Sequence, residues 1–373
     1  MTRPRDMAPG ERVLAAVRGK VTDRLPVTTY NCHGFSWSEH ASWPGYRRVL
    51  DAVARTGTAV LCKVGARRVA AGGRVEARRA ADDGREVVTR TLHTPAGDLR
   101  EVVVKPPDQP ARRVESFVKT DADIERWLSL PVGPCGWDVG ELLARCREIG
   151  DAGVAYLGYD DPLAAVVGLF AQEDLLVRIH GELERIAALV ARAFERIRSE
   201  LAGLLAALAA PRPRVLFYTG GPEYATPPLM PPAAFARLVT PFHRRLIGMI
   251  HDAGYPVSIH CHGRIARVLD ELIACGPDVI EPVEPPPQGD IDLAGLLSAA
   301  SGRVSLMGYV QDQDFHLAGP SDIRRHVAAI VATLAGRGRY VAAPTCTPFA
   351  FPPTDRYVAN YVAFLEAAAE LGA

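Results

Sequence analysis

The segment PVSIHCHGRIARVLDELIACGPDVIEPV, residues Pro256–Val283, decides the fold class of this chain. It predicts a strand at Pro256–Cys261, an amphipathic helix at Ile265–Ala274 and a second strand at Asp278–Val283. A strand, a helix and a second strand in this order are typical of a parallel β/α unit, because the helix returns the chain to the same end of the sheet.

The same alternation runs through most of the 373 residues. Six further strands are predicted at Leu25–Tyr30, Thr58–Val64, Val154–Tyr159, Val215–Gly220, Val304–Val310 and Tyr340–Thr345, and further helices at Leu175–Ala209, Pro232–Ala253, Ser321–Ala335 and Thr354–Leu371. Eight strands, none followed by a GxGxxG motif, favour a single (β/α)8 TIM barrel over residues 1–373 rather than an open doubly wound sheet. Two alternating runs on either side of PAGD predict a β-hairpin insertion at about 86–105, near the N-terminal end.

Composition excludes several classes of function. The 43 Lys and Arg residues balance the 43 Asp and Glu residues, so neither nucleic acid nor a membrane is an expected partner. The seven cysteines are scattered without a CxxC pair, which indicates reduced thiols in a cytoplasmic protein. The N-terminus lacks the apolar segment of a signal peptide, and no apolar run is long enough to span a bilayer. We therefore expect a soluble cytoplasmic enzyme that acts on a small molecule, and a homodimer is compatible with such a barrel.

Polar side chains follow the predicted strands at their C-terminal ends, where barrel enzymes hold their active sites. Candidate substrate-binding residues at these ends are Tyr30, His33, Tyr159 and Gln311. The Gly/Pro-rich loop TGGPEYATPPLMPP would hold Glu223 and Tyr224 rigidly, as catalytic residues or as an ordinary helix-entry pair. Asp160 is a third catalytic candidate, and it and Asp161 either contact substrate or cap the next helix.

His260 and His262 of the tripeptide HCH are candidate metal ligands. Side chains alternate across a strand, so the two imidazoles point to one side and Cys261 points toward the helices. Glu284 and Cys346 follow later strands and could converge on the same opening at the C-terminal ends of the strands, the mouth of the barrel. Two imidazoles, a thiolate and a carboxylate suit zinc, with iron or another transition metal as the alternative. The competing interpretation is structural: a helix-capping His, a buried Cys and a carboxylate paired with arginine.

Four stretches resemble the uroporphyrinogen decarboxylase superfamily. They are GERVLAAVRGKVTDRLPV, GGPEYATPPLMPPAAFARLVTPFHRRLIGMIHDAGYPVSIHCHG, GPDVIEPVEPPP and RVSLMGYVQ. The resemblance covers nearly the whole chain and implies a single (β/α)8 barrel. True decarboxylases carry an Arg-rich signature after the first strand, whereas this chain has TTYNCHGFSWSEH there, without arginine. The resemblance is therefore closer to the second branch, the corrinoid-dependent methyltransferases.

In that branch a His-x-Cys motif and a distant Cys bind a zinc ion that activates a thiol acceptor. By position, the first His is His260, the distant Cys is Cys346, and the first Cys falls on His262. An imidazole in place of a thiolate makes the metal a stronger Lewis acid, which favours polarising a carboxylate or activating water over thiol alkylation. The resemblance implies a zinc-dependent methyltransferase whose donor is a corrinoid on a separate protein. The alternative is a lyase or decarboxylase acting on a small carboxylic acid, with Arg264 as its candidate cation.

Overall fold

Thirteen β-strands are present in the computed structural model, which describes residues 6–70, 74–107, 111–334 and 338–373. They are β1 (Val60–Val64), β2 (Arg67–Ala70), β3 (Arg74–Asp82), β4 (Arg85–His93), β5 (Leu99–Lys105), β6 (Arg112–Glu115), β7 (Gly136–Asp138), β8 (Gly153–Gly158), β9 (Val215–Gly220), β10 (Val257–His260), β11 (Val279–Val283), β12 (Ser305–Val310) and β13 (Tyr340–Pro344). Seven form one parallel sheet in the order β1-β8-β9-β10-β11-β12-β13, and all seven were predicted. The predicted α/β class is thus confirmed.

Fifteen α-helices surround this sheet in the described part of the chain. They are α1 (Pro9–Val17), α2 (Glu39–Ser42), α3 (Arg47–Thr56), α4 (Asp121–Leu128), α5 (Gly140–Ile149), α6 (Pro162–Val167), α7 (Gln172–Gly181), α8 (Leu183–Leu208), α9 (Pro232–Leu238), α10 (Thr240–Asp252), α11 (Leu269–Ala274), α12 (Leu293–Ala300), α13 (Asp312–Leu317), α14 (Pro320–Leu334) and α15 (Asp355–Leu371). None of these helices combines the length and the apolarity that crossing a membrane requires.

Two of the long predicted helices are each divided in the structure. The pattern at 232–253 forms α9 and α10, with a break at Val239, because Pro241 in the first turn of α10 cannot extend the preceding helix. The pattern at 175–209 forms α7 and α8. Ala335, the last residue of the helix predicted at Ser321–Ala335, lies outside the described residues.

The segment 26–31 occupies the gap between the two edge strands of the sheet. It forms single parallel bridges to both sides, Val27 with Ala342 and Thr28 with Ala59. It therefore stands where the strand Leu25–Tyr30 was predicted, but its pairing is limited to isolated bridges. The reason is local, since Tyr30 and Asn31 have positive φ angles of 49° and 65°, which end the extended conformation.

The two faces of the parallel sheet pack against different partners. One face and α1 share an inner core that includes Val13, Val17, Leu61, Tyr156 and Met307. At its edge, Ser305 Oγ at the start of β12 donates a hydrogen bond of 2.8 Å to the carbonyl oxygen of Ala16. The other face packs against the surrounding helices in a larger core. The helix α1 therefore covers the N-terminal ends of the strands, opposite to the ends that carry the predicted site.

The insertion near the N-terminus forms a four-stranded antiparallel sheet, β3-β4-β5-β6, where a single hairpin at 86–105 was expected. Within it β4 and β5 pair from Glu86 with Lys105 to Leu92 with Leu99. The buried carboxylate of Glu101 lies 2.8 Å from both Arg90 Nη1 and Arg113 Nε. One carboxylate between two guanidinium groups thus ties three strands together.

A buried ion pair attaches α1 to the segment that follows it. Arg12 Nε lies 2.6 Å from Asp23 Oδ1, and both side chains are almost fully buried. The hydrogen bond and charge of Arg12 lower the pKa of Asp23 to about 2.

We expect Asp23→Asn to lower the free energy of unfolding by about 2 kcal/mol at neutral pH, because the pKa shift of Asp23 is a stability contribution. The folded-state pKa lies below the unfolded one, so this contribution is present above about pH 4 and is lost as pH falls toward about 2. Urea unfolding of both proteins across this range measures it, with the exposed Glu125→Gln as control. A difference that does not shrink with falling pH would contradict the linkage.

Candidate active site

The imidazole of His260 lies at the C-terminal end of β10, with three oxygen atoms close to its Nδ1 atom. Glu281 on the neighbouring strand places its two carboxylate oxygens 3.0 and 3.1 Å from Nδ1, and the Tyr30 hydroxyl lies 3.0 Å from the same atom. Burial alone would lower the pKa of His260, but the charge and hydrogen bond of Glu281 outweigh burial and raise it. The imidazole is therefore fixed through Nδ1, and Nε2 has no hydrogen-bond partner among the described residues.

Glu281 is fully buried and accepts a hydrogen bond from a buried tyrosine of the same sheet. The Tyr156 hydroxyl donates to Glu281 Oε1, and its oxygen lies 3.0 Å from Ser258 Oγ. The Tyr156 ring is stacked on Tyr218, with centroids 4.0 Å apart. A buried carboxylate is stable only when its oxygens accept hydrogen bonds. Tyr156 and His260 therefore stabilise Glu281, and Glu281 in turn fixes their positions.

His262 lies beside His260, with ring centroids 4.6 Å apart and nearly perpendicular planes. Its Nδ1 atom is 3.3 Å from Glu284 Oε2, which also accepts a 2.7 Å hydrogen bond from the Gly263 N–H. Burial would raise the pKa of Glu284, but the bonds from His262 and Gly263 outweigh burial and lower it. Glu284 is thus an ionised carboxylate that orients the second imidazole.

Cys261, between the two histidines, faces the other way, as strand alternation predicted. It is fully buried and belongs to the core between the sheet and the helices. Burial raises the pKa of its thiol well above the usual range. It is therefore a structural residue and takes no part in the mouth.

Cys346 follows β13 and is half-buried. Burial raises the pKa of its thiol, and nearby Asp312 and Glu284 raise it further while Lys63 opposes them. These influences place Cys346 within electrostatic reach of the mouth, with its thiol protonated at neutral pH. Across residues 6–70, 74–107, 111–334 and 338–373, no three His, Cys, Asp or Glu side chains are gathered in a metal-binding arrangement.

The residue types at the mouth nevertheless fit a zinc ion. An imidazole that gives Nδ1 to a carboxylate and keeps Nε2 free is the usual form of a zinc-ligating histidine. Both His260 and His262 have this form, with Glu281 and Glu284 as the respective carboxylates. The ligand set of His260, His262, Cys346 and Glu284 stays a prediction, and Glu284 already has a role as the partner of His262.

Glu223 and Tyr224 lie in a short 3-10 helix, Pro222–Ala225, directly after β9. Glu223 Oε2 accepts a 2.7 Å hydrogen bond from the Gly221 N–H, and its charge contributes to the raised pKa of His260. Gly221 has a φ of 141°, and a Cβ there would lie 2.5 Å from the Asp161 carboxyl carbon. The turn that presents Glu223 toward His260 thus requires glycine. Tyr224 is 38% exposed.

Asp160 and Asp161 have separate roles after β8. Asp160 is exposed and pairs with Arg68, which also lies 3.0 Å from Glu200. Asp161 caps α6 and is bonded to His243, and both side chains are buried in the helix layer. The capping role considered for this pair therefore holds for Asp161, whereas Asp160 lines a cavity of about 630 Å³ with Trp137 and Tyr218.

The remaining substrate-binding candidates lie at different depths. Tyr159 is buried with its ring near Phe217 and His243, on the helix side of the sheet. Gln311 is buried and donates to Gln313. His33 is buried against the Trp37 ring, at a centroid distance of 4.3 Å, and lines a second cavity. Of the four candidates, only Tyr30 contacts His260.

Sequence reasoning missed Glu281, Tyr156 and Lys63 as members of the site. Strand alternation offered a signal for Glu281, because β10 and β11 pair in parallel with His260 opposite Glu281. The Lys63 ammonium lies 5.4 Å from the Tyr30 ring centroid and 5.6 Å from that of Tyr218. Its position follows from packing between strands, which no local sequence pattern records.

Residues 222–371 match the family model described as uroporphyrinogen decarboxylase (URO-D). The fold is similar to that of a methyltransferase from Methanosarcina mazei, with a TM-score of 0.60 and 14% identity over 98% of this chain and 99% of that chain. A GH5 xyloglucanase from Bacteroides ovatus gives a TM-score of 0.33 at 10% identity, over 82% of this chain and 97% of that one. No curated protein matches the sequence. Residues 222–371 thus match the family that the sequence motifs resemble, and the fold of nearly the whole chain is similar to that of a methyltransferase.

We expect Tyr156→Phe to cost about 2 kcal/mol of stability, because the hydroxyl donates to a buried carboxylate and hydrogen bonds to charged groups contribute roughly 1.5–3 kcal/mol. Tyr340→Phe is the matched control, since that buried hydroxyl donates to the neutral carbonyl of Gly308 at 2.8 Å. Its expected cost is about 1 kcal/mol. Urea unfolding compares the two variants, and an equal cost would show that Glu281 does not depend on Tyr156.

Proposed function

We propose that this protein is a metal-dependent enzyme of the methyltransferase-like kind that activates a thiol or another small acceptor for methyl transfer. The observation that carries the proposal is the pair of adjacent imidazoles, His260 and His262, each bonded through Nδ1 to its own buried carboxylate. The resemblance of the sequence to corrinoid-dependent methyltransferases and the similarity of the fold to a methyltransferase support the same reaction class.

In this proposal Nε2 of both histidines and the Cys346 thiol hold zinc, with Glu284 as the partner of His262 or as a fourth ligand. The bound metal would lower the pKa of an acceptor group, so that the acceptor becomes a nucleophile at neutral pH. Glu281 keeps His260 in the tautomer that leaves Nε2 free. Glu223, whose charge reaches His260, is proposed as proton acceptor or substrate anchor, with Tyr224 and Asp160 at the rim.

The methyl donor is proposed to be a corrinoid carried by a separate protein that approaches the C-terminal ends of the strands. The acceptor would lie between His260 and the residues around Tyr30 and Lys63. Burial raises the pKa of Cys346, and the charge of Lys63 opposes this increase and so favours the thiolate that metal binding requires.

A second candidate is a lyase that acts on a small carboxylic acid at the same mouth. The observation that favours it is the Lys63 ammonium, which has no carboxylate partner among the described residues and could hold a substrate carboxylate. Arg264, the cation expected from the sequence, is exposed after the HCH motif. The replacement of a thiolate by His262 also fits a metal that polarises a carboxylate.

Zinc analysis of the purified protein tests the metal site directly. We expect near-stoichiometric zinc in the wild type and its loss in His260→Ala and Cys346→Ala, because each removes a proposed ligand. Cys261→Ala is the matched control, since this thiol lies within the HCH motif but faces the helix layer. A wild-type protein that takes up no zinc from a zinc-containing buffer would refute the metal site.

Methyl transfer from methylcobalamin to a small thiol tests the reaction. We expect methylation by the zinc-loaded wild type and a decrease in its rate of at least about 100-fold in His260→Ala. The reason is that metal activation of a nucleophile lowers the activation free energy by several kcal/mol. The exposed His180→Ala is the control. Release of carbon dioxide from a small carboxylic acid without any acceptor would instead identify the lyase.

A further inference from the structure

A second cavity of about 430 Å³ opens beside the mouth, between the chain that follows Asn31, the helix α2 and the segment after β13. Its lining includes Lys63, Arg145, His33, Trp37, Trp43 and Phe349. A concave site of this size, with several aromatic side chains and a few polar groups, is suited to a small molecule. The cavity is joined to the proposed metal site through Lys63, which contacts the ring of Tyr30.

The charge in this cavity is concentrated at Lys63. Its ammonium lies near the faces of two tyrosine rings and forms no ion pair within the described chain. The other cation, Arg145, already pairs with Glu141 and covers the Trp37 ring at 4.5 Å. Glu39, the acidic residue of the lining, is exposed to solvent. Lys63 is therefore the group that can bind an anion without first giving up a carboxylate.

The cavity wall offers aromatic surface that is held in place. Trp37 Nε1 donates a 2.8 Å hydrogen bond to Glu148, and its ring is parallel to that of Phe35 at 5.6 Å. Phe349 is 71% exposed and makes no ring contact in the described chain. A large exposed aromatic side chain beside a fixed indole is suited to contact with a flat ligand.

Two buried polar atoms in the lining lack a partner. They are His33 Nδ1 and Thr347 Oγ1, neither of which has a hydrogen bond to the described part of the protein. Burial lowers the pKa of His33 to about 4, so its imidazole is neutral under physiological conditions. These neutral groups can form hydrogen bonds with polar substituents of a ligand, whereas the electrostatic attraction for an anionic group comes from Lys63.

We propose that this cavity binds a small planar aromatic anion as the substrate, with its anionic group at Lys63 and its ring against Trp37 and Phe349. The inference rests on the proposed function in taking this ligand as the substrate, because the Tyr30 hydroxyl links the Lys63 end of the cavity to His260 at 3.0 Å. The binding itself follows from the unpaired ammonium, the aromatic wall and the buried polar atoms.

Calorimetric titration with benzoate tests the proposal. We expect saturable binding of one benzoate to the wild type, weaker binding of uncharged benzamide, and weaker binding of acetate, which lacks the ring. Lys63→Gln should weaken benzoate binding about tenfold, because a charge-assisted hydrogen bond is lost. Phe349→Ala should weaken benzoate more than acetate. Lys105→Gln, an exposed lysine in β5, should leave binding unchanged.

The inference is overturned if benzoate fails to bind the wild type saturably, or if Lys63→Gln binds it as tightly as the wild type does. The same titration on His260→Ala separates this inference from the proposed function. Retained benzoate binding in a variant that takes up no zinc supports the cavity independently of the metal. Zinc uptake by a wild type that binds no benzoate leaves the proposed function standing and removes this ligand class.

Discussion

The fully buried carboxylate of Glu281 organises the mouth of the sheet. A carboxylate removed from water costs several kcal/mol unless each oxygen is bonded, and here the bonds come from Tyr156 on β8 and His260 on β10. Three strands must therefore keep their register for Glu281 to keep these hydrogen bonds. The same bonds also fix the orientation of His260, so the direction of its Nε2 atom is set by residues in the interior of the fold.

The aromatic residues around Glu281 also fix the positions of side chains that do not contact Glu281 themselves. Tyr156 stacks on Tyr218, and the Tyr30 hydroxyl lies 3.0 Å from His260 Nδ1. The ammonium of Lys63 lies within 5.6 Å of the Tyr30 and Tyr218 rings, so its position depends on the same layer. Lys63, a cation without an acidic partner among the described residues, thus lies beside these rings and gives the site a place for negative charge.

The fold was predictable because periodicity is a local property. The seven strands of the parallel sheet and the outward direction of Cys261 followed from alternation alone. The segment 25–30 was predicted as a regular strand because its residues favour an extended conformation, but the positive φ angles of Tyr30 and Asn31, which end that conformation, are not recorded by strand periodicity. The site was only partly predictable. His260, His262 and Glu284 are close in sequence and meet, whereas the bonds of Tyr156 to Glu281 and of Asp161 to His243 join residues 125 and 82 positions apart.

The position of helix α1 determines the side of the sheet from which reactants can approach His260. Its apolar residues and the inner core fill the N-terminal side of the sheet, so ligands reach His260 from the opposite side. A protein-borne methyl donor and a small acceptor would then share one opening, and a docked donor would cover it. In the proposed reaction the acceptor would therefore enter before the donor protein docks, and its methylated product would leave after the donor protein has dissociated.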